Sequence, residues 1–238
     1  MINESDVGME NRILPDTSTA MAFRYKGLVK DKSLSGYTNL PQHVLSGLRK
    51  VPRIINYSKN TATFIVHFKE GGAATFFKES IHEVFGLNAS LDNFFSASEI
   101  NEIAEKLAEV KNSQQQIALV EQFLISKLTH FKPDLLVSKA IETIQFANGN
   151  IKIKELVSQL NISIDPFEKR FRFATGAAPK QFSNIVRLRN VIKRHSHYKS
   201  YTDMALTAGY FDQAHFIHDF KIFTGQTPKD FFKSAFYI

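Results

Sequence analysis

The feature that most constrains the fold of this chain is a twelve-residue motif that occurs twice, 49 residues apart. Residues 171–182 read FRFATGAAPKQF, and residues 220–231 read FKIFTGQTPKDF. Six positions are identical, in the order Phe, Thr, Gly, Pro, Lys and Phe. Because internal repetition at a fixed period indicates a repeated structural unit, the C-terminal part of the chain is expected to contain the same small fold twice.

Helical periodicity defines the unit. In the first copy, a short amphipathic helix over residues 152–160 is followed by a tight turn, with Ser163 as the N-cap of a second helix that ends at Gly176. In the second copy, residues 201–208 form the short helix and Asp212 is the N-cap. A helix from Pro179 to about residue 195 joins the copies. Each unit therefore has the form of a helix-turn-helix.

In such a motif, the second helix enters the DNA major groove with its N-terminal turns facing the base edges. The apolar stripes Phe167–Phe171 and Phe216–Phe220 predict which face of each helix packs inward and which is left for DNA. Lys and Arg can contact guanine edges or phosphates, and amides at helix N-termini suit phosphates. The candidate DNA-binding residues are Ser163, Asp165, Glu168, Lys169, Arg172, Lys180, Gln213, Ala214, Ile217, His218, Lys221 and Lys229.

The two predicted reading helices differ in chemistry. Lys169 and Arg172 are cationic donors in the first helix, whereas Ala214 and Ile217 in the second cannot hydrogen-bond to bases and can only meet a thymine methyl group. We therefore expect the first unit to read bases more than the second.

The distribution of charge agrees with a polyanionic partner for this part of the chain. The net charge is +7, and the residues from Ala140 onward carry 14 Lys+Arg against 8 Asp+Glu, a net +6. The remainder is thus nearly neutral, at +1. A basic stripe of this kind is typical of nucleic-acid binding, although charge alone is equally consistent with a solvated basic face on a duplicated helical bundle.

Composition excludes several other classes of protein. The chain contains no Cys, which rules out disulfides, thiolate zinc sites and cysteine nucleophiles. No signal peptide and no apolar run of membrane-spanning length is visible, so we expect a soluble cytoplasmic protein.

The N-terminal part predicts short strands. Residues 21–25 alternate, and residues 61–68 are rich in β-branched and aromatic side chains before Gly71. Gly and Pro between these strands indicate turns, and residues 73–85 are expected to form a short helix.

Beyond residue 91 the pattern becomes helical. Ile100, Ile103 and Leu107 recur at helical spacing, with Ser98 as a partial start signal, and Pro133 is expected to open a later helix. The predicted divisions are a β-rich sensor-like region at 1–90, a helical region at 91–132 and a DNA-binding domain at 133–238. The middle helices either pack on a neighbouring domain or form a homodimer interface.

The motifs SIDPFEKRFRFATGAAP (163–179) and GYFDQAHFIHDFKIFTGQTP (209–228) resemble the DNA-binding domain of the AraC/XylS family of bacterial transcription regulators. The segment 14–16 and the strand leading to residues 67–76 resemble, more distantly, the sensor region of some members, although the start looks short for that subgroup. The sequence departs from the family where Lys169 and His218 replace a common Arg, so a bidentate fork is lost at both positions.

The resemblance implies an α+β protein. It has an N-terminal β-rich, partly barrel-like domain with following helices, then an all-α domain of two helix-turn-helix units joined by a long helix. It also implies a transcription regulator, commonly an activator, that binds double-stranded promoter DNA and contacts RNA polymerase. A small-molecule effector of the N-terminal domain is consistent with it. Neither enzymatic activity nor a cofactor is expected.

The alternative from another class is a small-molecule-binding or metal-dependent β-barrel enzyme with an accessory helical domain. His43, His67 and His82 are the candidate ligands, but they occur singly and without the paired spacing of a metal site. His195 and His197 are better explained as caps at the end of the connecting helix. No nucleophile elbow and no phosphate-binding loop is present.

Overall fold

The computed structural model describes residues 9–33, 36–128 and 133–234. An N-terminal β-rich part is followed by helices that continue to the end of the described chain. The strands are β1 (Met9–Ile13), β2 (Ala20–Lys26), β3 (Val29–Ser33), β4 (Gly36–Asn39), β5 (His43–Ser46), β6 (Arg53–Tyr57), β7 (Ala62–His67) and β8 (Asn88–Ser90).

These strands form two open, four-stranded antiparallel sheets, in the orders β1-β6-β3-β4 and β7-β2-β5-β8. The prediction of short strands up to residue 90 is therefore confirmed for residues 9–33 and 36–90, residues 1–8 and 34–35 lying outside the described residues, and so are the two individual strands predicted at 21–25 and 61–68. The expected helix over 73–85 is wrong. That segment holds two short 3-10 turns, Ala73–Thr75 and Ile81–Val84, because Ser80 between them is extended and its side chain caps the second turn.

The helices are α1 (Ala97–Glu109), α2 (Ser113–Ser126), α3 (Leu135–Phe146), α4 (Ile153–Gln159), α5 (Ile164–Thr175), α6 (Pro179–Lys193), α7 (Tyr201–Thr207), α8 (Gln213–Thr224) and α9 (Pro228–Lys233). Two of the predicted start signals were wrong. Helix α1 is capped by Ser96, which forms a capping box with Glu99, and not by Ser98. Helix α3 begins after Asp134, whose carboxylate accepts from the amides of Leu136 and Val137, so it opens two residues beyond Pro133.

The first hydrophobic core lies between the second sheet and α1. Met21 and Phe23 of β2 and Leu45 of β5 project from one face of the sheet, since alternate residues of a strand share a face. Ile100 and Leu107 of α1 are fully buried against them. Helix α1 thus covers one face of this sheet.

The second core fills the helical part from α3 to α9 and is built around the repeated Phe residues. Leu48, in the segment between β5 and β6, also belongs to it and is only 2% exposed. Full burial of a Leu side chain contributes about 1.5–3 kcal/mol. Contact between the β-rich part and the helical part is therefore stabilised by apolar packing as well as by polar bonds.

Candidate nucleic-acid interface

The structure confirms that the sequence repeat is a structural repeat. Helices α4 and α5 form one helix-turn-helix, α7 and α8 form a second, and α6 joins them. Asn161 and Gly209, at the two tight turns, both have positive φ, of +51° and +76°. Small or turn-forming residues are favoured there because most side chains disfavour this left-handed conformation.

The aromatic cores of the two units are nearly superimposable in their internal geometry. In the first, the ring centroid of Phe171 lies 5.5 Å from that of Phe167 and 5.4 Å from that of Phe182. In the second, the corresponding distances from Phe220 are 5.5 Å to Phe216 and 5.3 Å to Phe231. The recurrence of Phe at these offsets is thus explained by packing.

The repeated Thr has an equally specific role. Thr175 Oγ1 donates to the carbonyl oxygen of Phe171 at 2.8 Å, and Thr224 Oγ1 donates to that of Phe220 at 2.8 Å. Each hydroxyl also accepts from the amide two residues further on. A buried hydroxyl therefore ties the last turn of each recognition helix to the chain that leaves it.

The N-termini of α5 and α8 differ. Asp212 caps α8 as expected, because its carboxylate accepts from the amide of His215 at 2.7 Å. Ser163 occupies the equivalent N-cap position of α5, but its hydroxyl makes no capping bond in the described helix. The exposed Ser163 hydroxyl and the N-terminal amides of α5 lie where a phosphate contact was predicted.

On the outer face of α5, Asp165 and Lys169 are exposed. Arg172 is half-buried, and its Nη2 donates to Glu168 Oε2 at 3.2 Å. Arg172 Nη1 also lies 3.4 Å from His82 Nε2 in the β-rich part. Of the two cations predicted to read DNA, Lys169 is therefore the more accessible, and Arg172 is engaged by two protein partners.

On α8, Ala214, His218 and Lys221 are exposed. Ile217 is half-buried and packs against the second core, so only part of its side chain faces outward. Gln213 Oε1 accepts from Thr202 Oγ1 of α7 at 2.6 Å, which fixes the orientation of this side chain within the unit.

Lys180 and Lys229 lie in the first turns of α6 and α9, immediately after Pro179 and Pro228. Both are exposed, at equivalent points of the two units. Partial burial of the Lys180 amine, and then the charge of Arg187, lower the pKa of Lys180, while Asp219 opposes them.

The sequence did not indicate that the β-rich part would hold the C-terminal ends of both recognition helices. His82 Nδ1 lies 3.1 Å from the carbonyl oxygen of Gly176 at the end of α5. Arg12 Nη1 donates to the carbonyl oxygen of Thr224 at the end of α8, at 3.0 Å. With a proton on Nδ1, His82 donates to Gly176, and its Nε2 accepts from Arg172.

The connecting helix α6 is held by the same part of the chain. Arg189 pairs with Asp16 at 3.3 Å and donates to the carbonyl oxygen of Pro15 at the same distance. At the end of α6, His195 Nδ1 lies 3.2 Å from the carbonyl oxygen of Ile192. This contact agrees with the predicted capping role of His195.

A groove of about 950 Å³ runs beside α5, between it, the start of α3 and the turn that carries His82. Lys169 and Arg172 line it together with the apolar side chains of Leu135 and Leu136. Lys169 therefore borders both the outer face of α5 and a partly apolar groove.

The candidate metal ligands do not converge. His43 is buried in β5 against Phe23, His67 is exposed at the end of β7, and His82 contacts α5. Within residues 9–33, 36–128 and 133–234, no three His, Asp or Glu side chains form a group that could hold a metal ion. Among the helices of the same residues, none combines the length and apolar character needed to cross a bilayer.

Comparison with known proteins supports the assignment of the helical part. Residues 156–234 match a family described as a helix-turn-helix domain, which is the AraC type. Residues 2–89 match a domain of unknown function (DUF6597). None of the curated proteins is significantly similar to the sequence.

One solved structure extends the similarity to the whole fold, and two others are similar to a lesser degree. A structure of ToxT from Vibrio cholerae is 12% identical, with 94% of this chain and 96% of that chain covered and a TM-score of 0.50. A structure of ToxT from Vibrio cholerae O395 bound to (E)-4-(8-methylnaphthalen-1-yl)but-3-enoic acid is also 12% identical, covering 95% and 98% at a TM-score of 0.48. The xylose-binding transcription activator xylR is 23% identical over 44% of this chain and 29% of its own, at a TM-score of 0.36. The chain thus has a ToxT-like two-domain fold.

Proposed function

We propose that the chain, whose C-terminal part is an AraC-type helix-turn-helix domain, is a DNA-binding transcription regulator that binds promoter DNA through α5 and α8 together. The observation that carries this proposal is the duplication. Two units with the same internal geometry, joined by one helix, offer two recognition helices from a single chain. Helices seated in adjacent major grooves on one side of the duplex would be about 34 Å apart.

The outward-facing residues support distinct roles. Lys169 of α5 is the accessible candidate for base readout, and His218 and Lys221 are the exposed polar candidates of α8. Lys180 and Lys229 follow the proline that starts the next helix in each unit, where they suit phosphates.

The proposal extends to regulation by the β-rich part. His82 and Arg12 contact the ends of α5 and α8, so a change in the β-rich part would reach both recognition helices. We include a small-molecule effector, a contact with RNA polymerase and formation of a homodimer as parts of the same proposal. The cytoplasm is the corresponding location.

Measurement of DNA affinity against salt concentration tests the proposal. Each phosphate neutralised contributes about −0.9 to the slope of log K against log salt. If Lys180, Lys221 and Lys229 each contact one phosphate, the expected slope is about −2.7. Substitution of Lys180 and Lys229 by Gln is expected to make it shallower by about 1.8.

The matched control is Lys106→Gln, which removes an exposed, ion-paired lysine from α1. This variant should retain the slope of the unaltered protein. Affinity that is independent of salt, or a slope equally reduced by Lys106→Gln, would contradict the proposed interface. Metal analysis of the same sample tests the metal-dependent form of the alternative enzyme hypothesis, which requires a stoichiometric ion.

A further inference from the structure

A polar cluster lies between the two sheets, where a β-sandwich normally has an apolar core. It consists of Asp31, Ser46, Arg49, Arg53 and Asn88, which we call the arginine cluster. Ser46 and Asn88 are directly paired across β5 and β8 of one sheet. Asp31 and Arg53 come from β3 and β6 of the other, so the cluster bridges the sheets.

The side-chain acceptors of the cluster are fewer than its donors, and Arg49 Nη2 also reaches the carbonyl oxygen of Leu87 at 3.4 Å. The side-chain oxygen of Asn88 accepts from Ser46 Oγ at 2.9 Å, from Arg49 Nη2 at 3.1 Å and from Arg53 Nη1. An amide oxygen has only two lone pairs, so three donors overload it. Arg53 Nε is buried and has no hydrogen-bond partner among the described residues.

The charges are also unbalanced. Asp31 is the carboxylate that faces the two guanidinium groups, and its Oδ2 lies 3.9 Å from Arg53 Nη1. The same oxygen accepts from Asn88 Nδ2 at 3.2 Å. The side chain of Arg53 is only 12% exposed, so most of its charge is withdrawn from water. One positive charge of the two is thus left without a carboxylate counterpart in the cluster.

The pKa values of both arginines are lowered in this environment. Burial, then the charge of Arg53, lowers the pKa of Arg49 to about 10, and burial also lowers the pKa of Arg53. Buried cations are normally paired, because an unpaired charge in a low-dielectric interior costs several kcal/mol. A bound anion would supply both the missing charge and the missing acceptors.

We propose that Arg49 and Arg53 bind the carboxylate or phosphate group of a small metabolite between the two sheets. A guanidinium group presents its donors in a planar fork that matches the paired oxygens of either group. The buried Nε of Arg53 provides one arm of such a fork, and the half-buried Arg49 contacts the same Asn88 oxygen as Arg53.

The segment that carries both arginines also contacts the helical part. Leu48 belongs to the second core, and a Cβ added to Gly225 would lie 3.4 Å from Pro52 Cγ. Gly225 ends α8, so an anion that moves residues 47–53 acts on the second recognition helix. This regulatory step rests on the proposed DNA binding, whereas the anion site itself does not.

Anion binding is tested on the full chain without DNA. Thermal unfolding is measured with sodium phosphate, sodium succinate and sodium chloride at equal ionic strength, and affinity is then measured by calorimetry. Stabilisation by phosphate alone assigns a phosphate ligand, and stabilisation by succinate alone assigns a carboxylate. A transition temperature that neither anion raises above the chloride value overturns the site.

Three variants locate the site. Arg49→Lys keeps the charge and removes the fork, and it should weaken binding about tenfold, as expected for the loss of one charge-assisted hydrogen bond. Asp31→Asn removes the competing carboxylate and should tighten binding, a gain that a folding defect cannot produce. Lys50→Gln, which removes the exposed neighbouring charge, should leave affinity unchanged. Equal affinity in Arg49→Lys and the unaltered protein, or weaker binding in Asp31→Asn, would overturn the assignment.

A separate DNA-binding measurement, with and without the effective anion, tests the regulatory step. A changed DNA affinity supports the coupling through residues 47–53. Anion binding with unchanged DNA affinity overturns the coupling and retains the site, whereas anion binding by a protein that binds no DNA overturns the proposed function instead.

Discussion

Gly176 and Gly225 provide a test of the domain contact with an internal control. Both end a recognition helix with a similar left-handed φ, +82° and +77°. Alanine in that conformation costs about 1–2 kcal/mol at either position. The surroundings differ: a Cβ at Gly176 would lie 2.9 Å from Ile81 Cγ2 and 3.0 Å from the Ile81 carbonyl oxygen, whereas at Gly225 it would meet side chains at 3.4 Å or more.

Gly225→Ala is therefore expected to lower the free energy of unfolding by the conformational term alone, about 1–2 kcal/mol. Gly176→Ala adds overpacking against the β-rich part, which typically costs about 1–3 kcal/mol, for a total of about 2–5 kcal/mol. Both are measured by urea unfolding followed by circular dichroism.

The difference between the variants isolates the contact with Ile81, because the conformational cost is common to both. In the double variant Gly176→Ala, Ile81→Ala, loss of Cγ2 relieves part of the clash, so the two effects should sum to more than the measured loss. Losses for Gly176→Ala and Gly225→Ala that agree within about 0.5 kcal/mol would show that Ile81 does not press on the end of α5.

The remaining predictions concern α3 and base readout. Asp134→Ala removes the N-cap of α3 and a two-bond ion pair with Arg170 at 2.6 and 2.7 Å, so unfolding experiments should show a loss of about 1–3 kcal/mol. Burial acts to raise the pKa of Asp134, but the hydrogen bond from Arg170 and those from backbone amides outweigh it, and the pKa is lowered. This stabilisation is present above the pKa of an unfolded Asp, about 3.9, and is lost as the pH falls through the lower pKa of the folded protein. In Asp134→Ala, this loss of unfolding free energy at low pH should be absent. Lys169→Ala should weaken binding to the cognate DNA site by about 1–3 kcal/mol, whereas His218→Ala should change that affinity little. Unchanged affinity in Lys169→Ala, together with loss of binding in His218→Ala, would assign base readout to the second unit instead of the first.

The C-terminal architecture was predictable because its determinants are local. The paired Phe residues, the helix-ending Gly176 and Gly225 and the N-cap Asp212 each act within one turn of helix, and the sequence shows them twice. The β-rich part depends instead on pairing between distant segments. Strands β3 to β6 were obscured by Gly36, Pro41, Gly47 and Pro52, which mark the turns but do not specify which strands pair.

The contacts between the two parts left little trace in the sequence. Arg12 and Thr224 are 212 residues apart, and His82 gave no sign that it would meet Arg172. Arg49 and Arg53 flank a turn in the sequence, and only the facing of the two sheets brings them together with Asn88. These residues form hydrogen bonds between segments that are distant in the sequence, and neither composition nor periodicity indicates which segments will meet.

The central claim is that one chain places two recognition helices on the same face of DNA. Hydroxyl-radical footprinting on a site selected from random sequence tests it most directly. The account predicts protection in two adjacent major grooves, centred about one helical turn or ~34 Å apart, for each bound chain. Protection confined to a single groove per bound chain would contradict it.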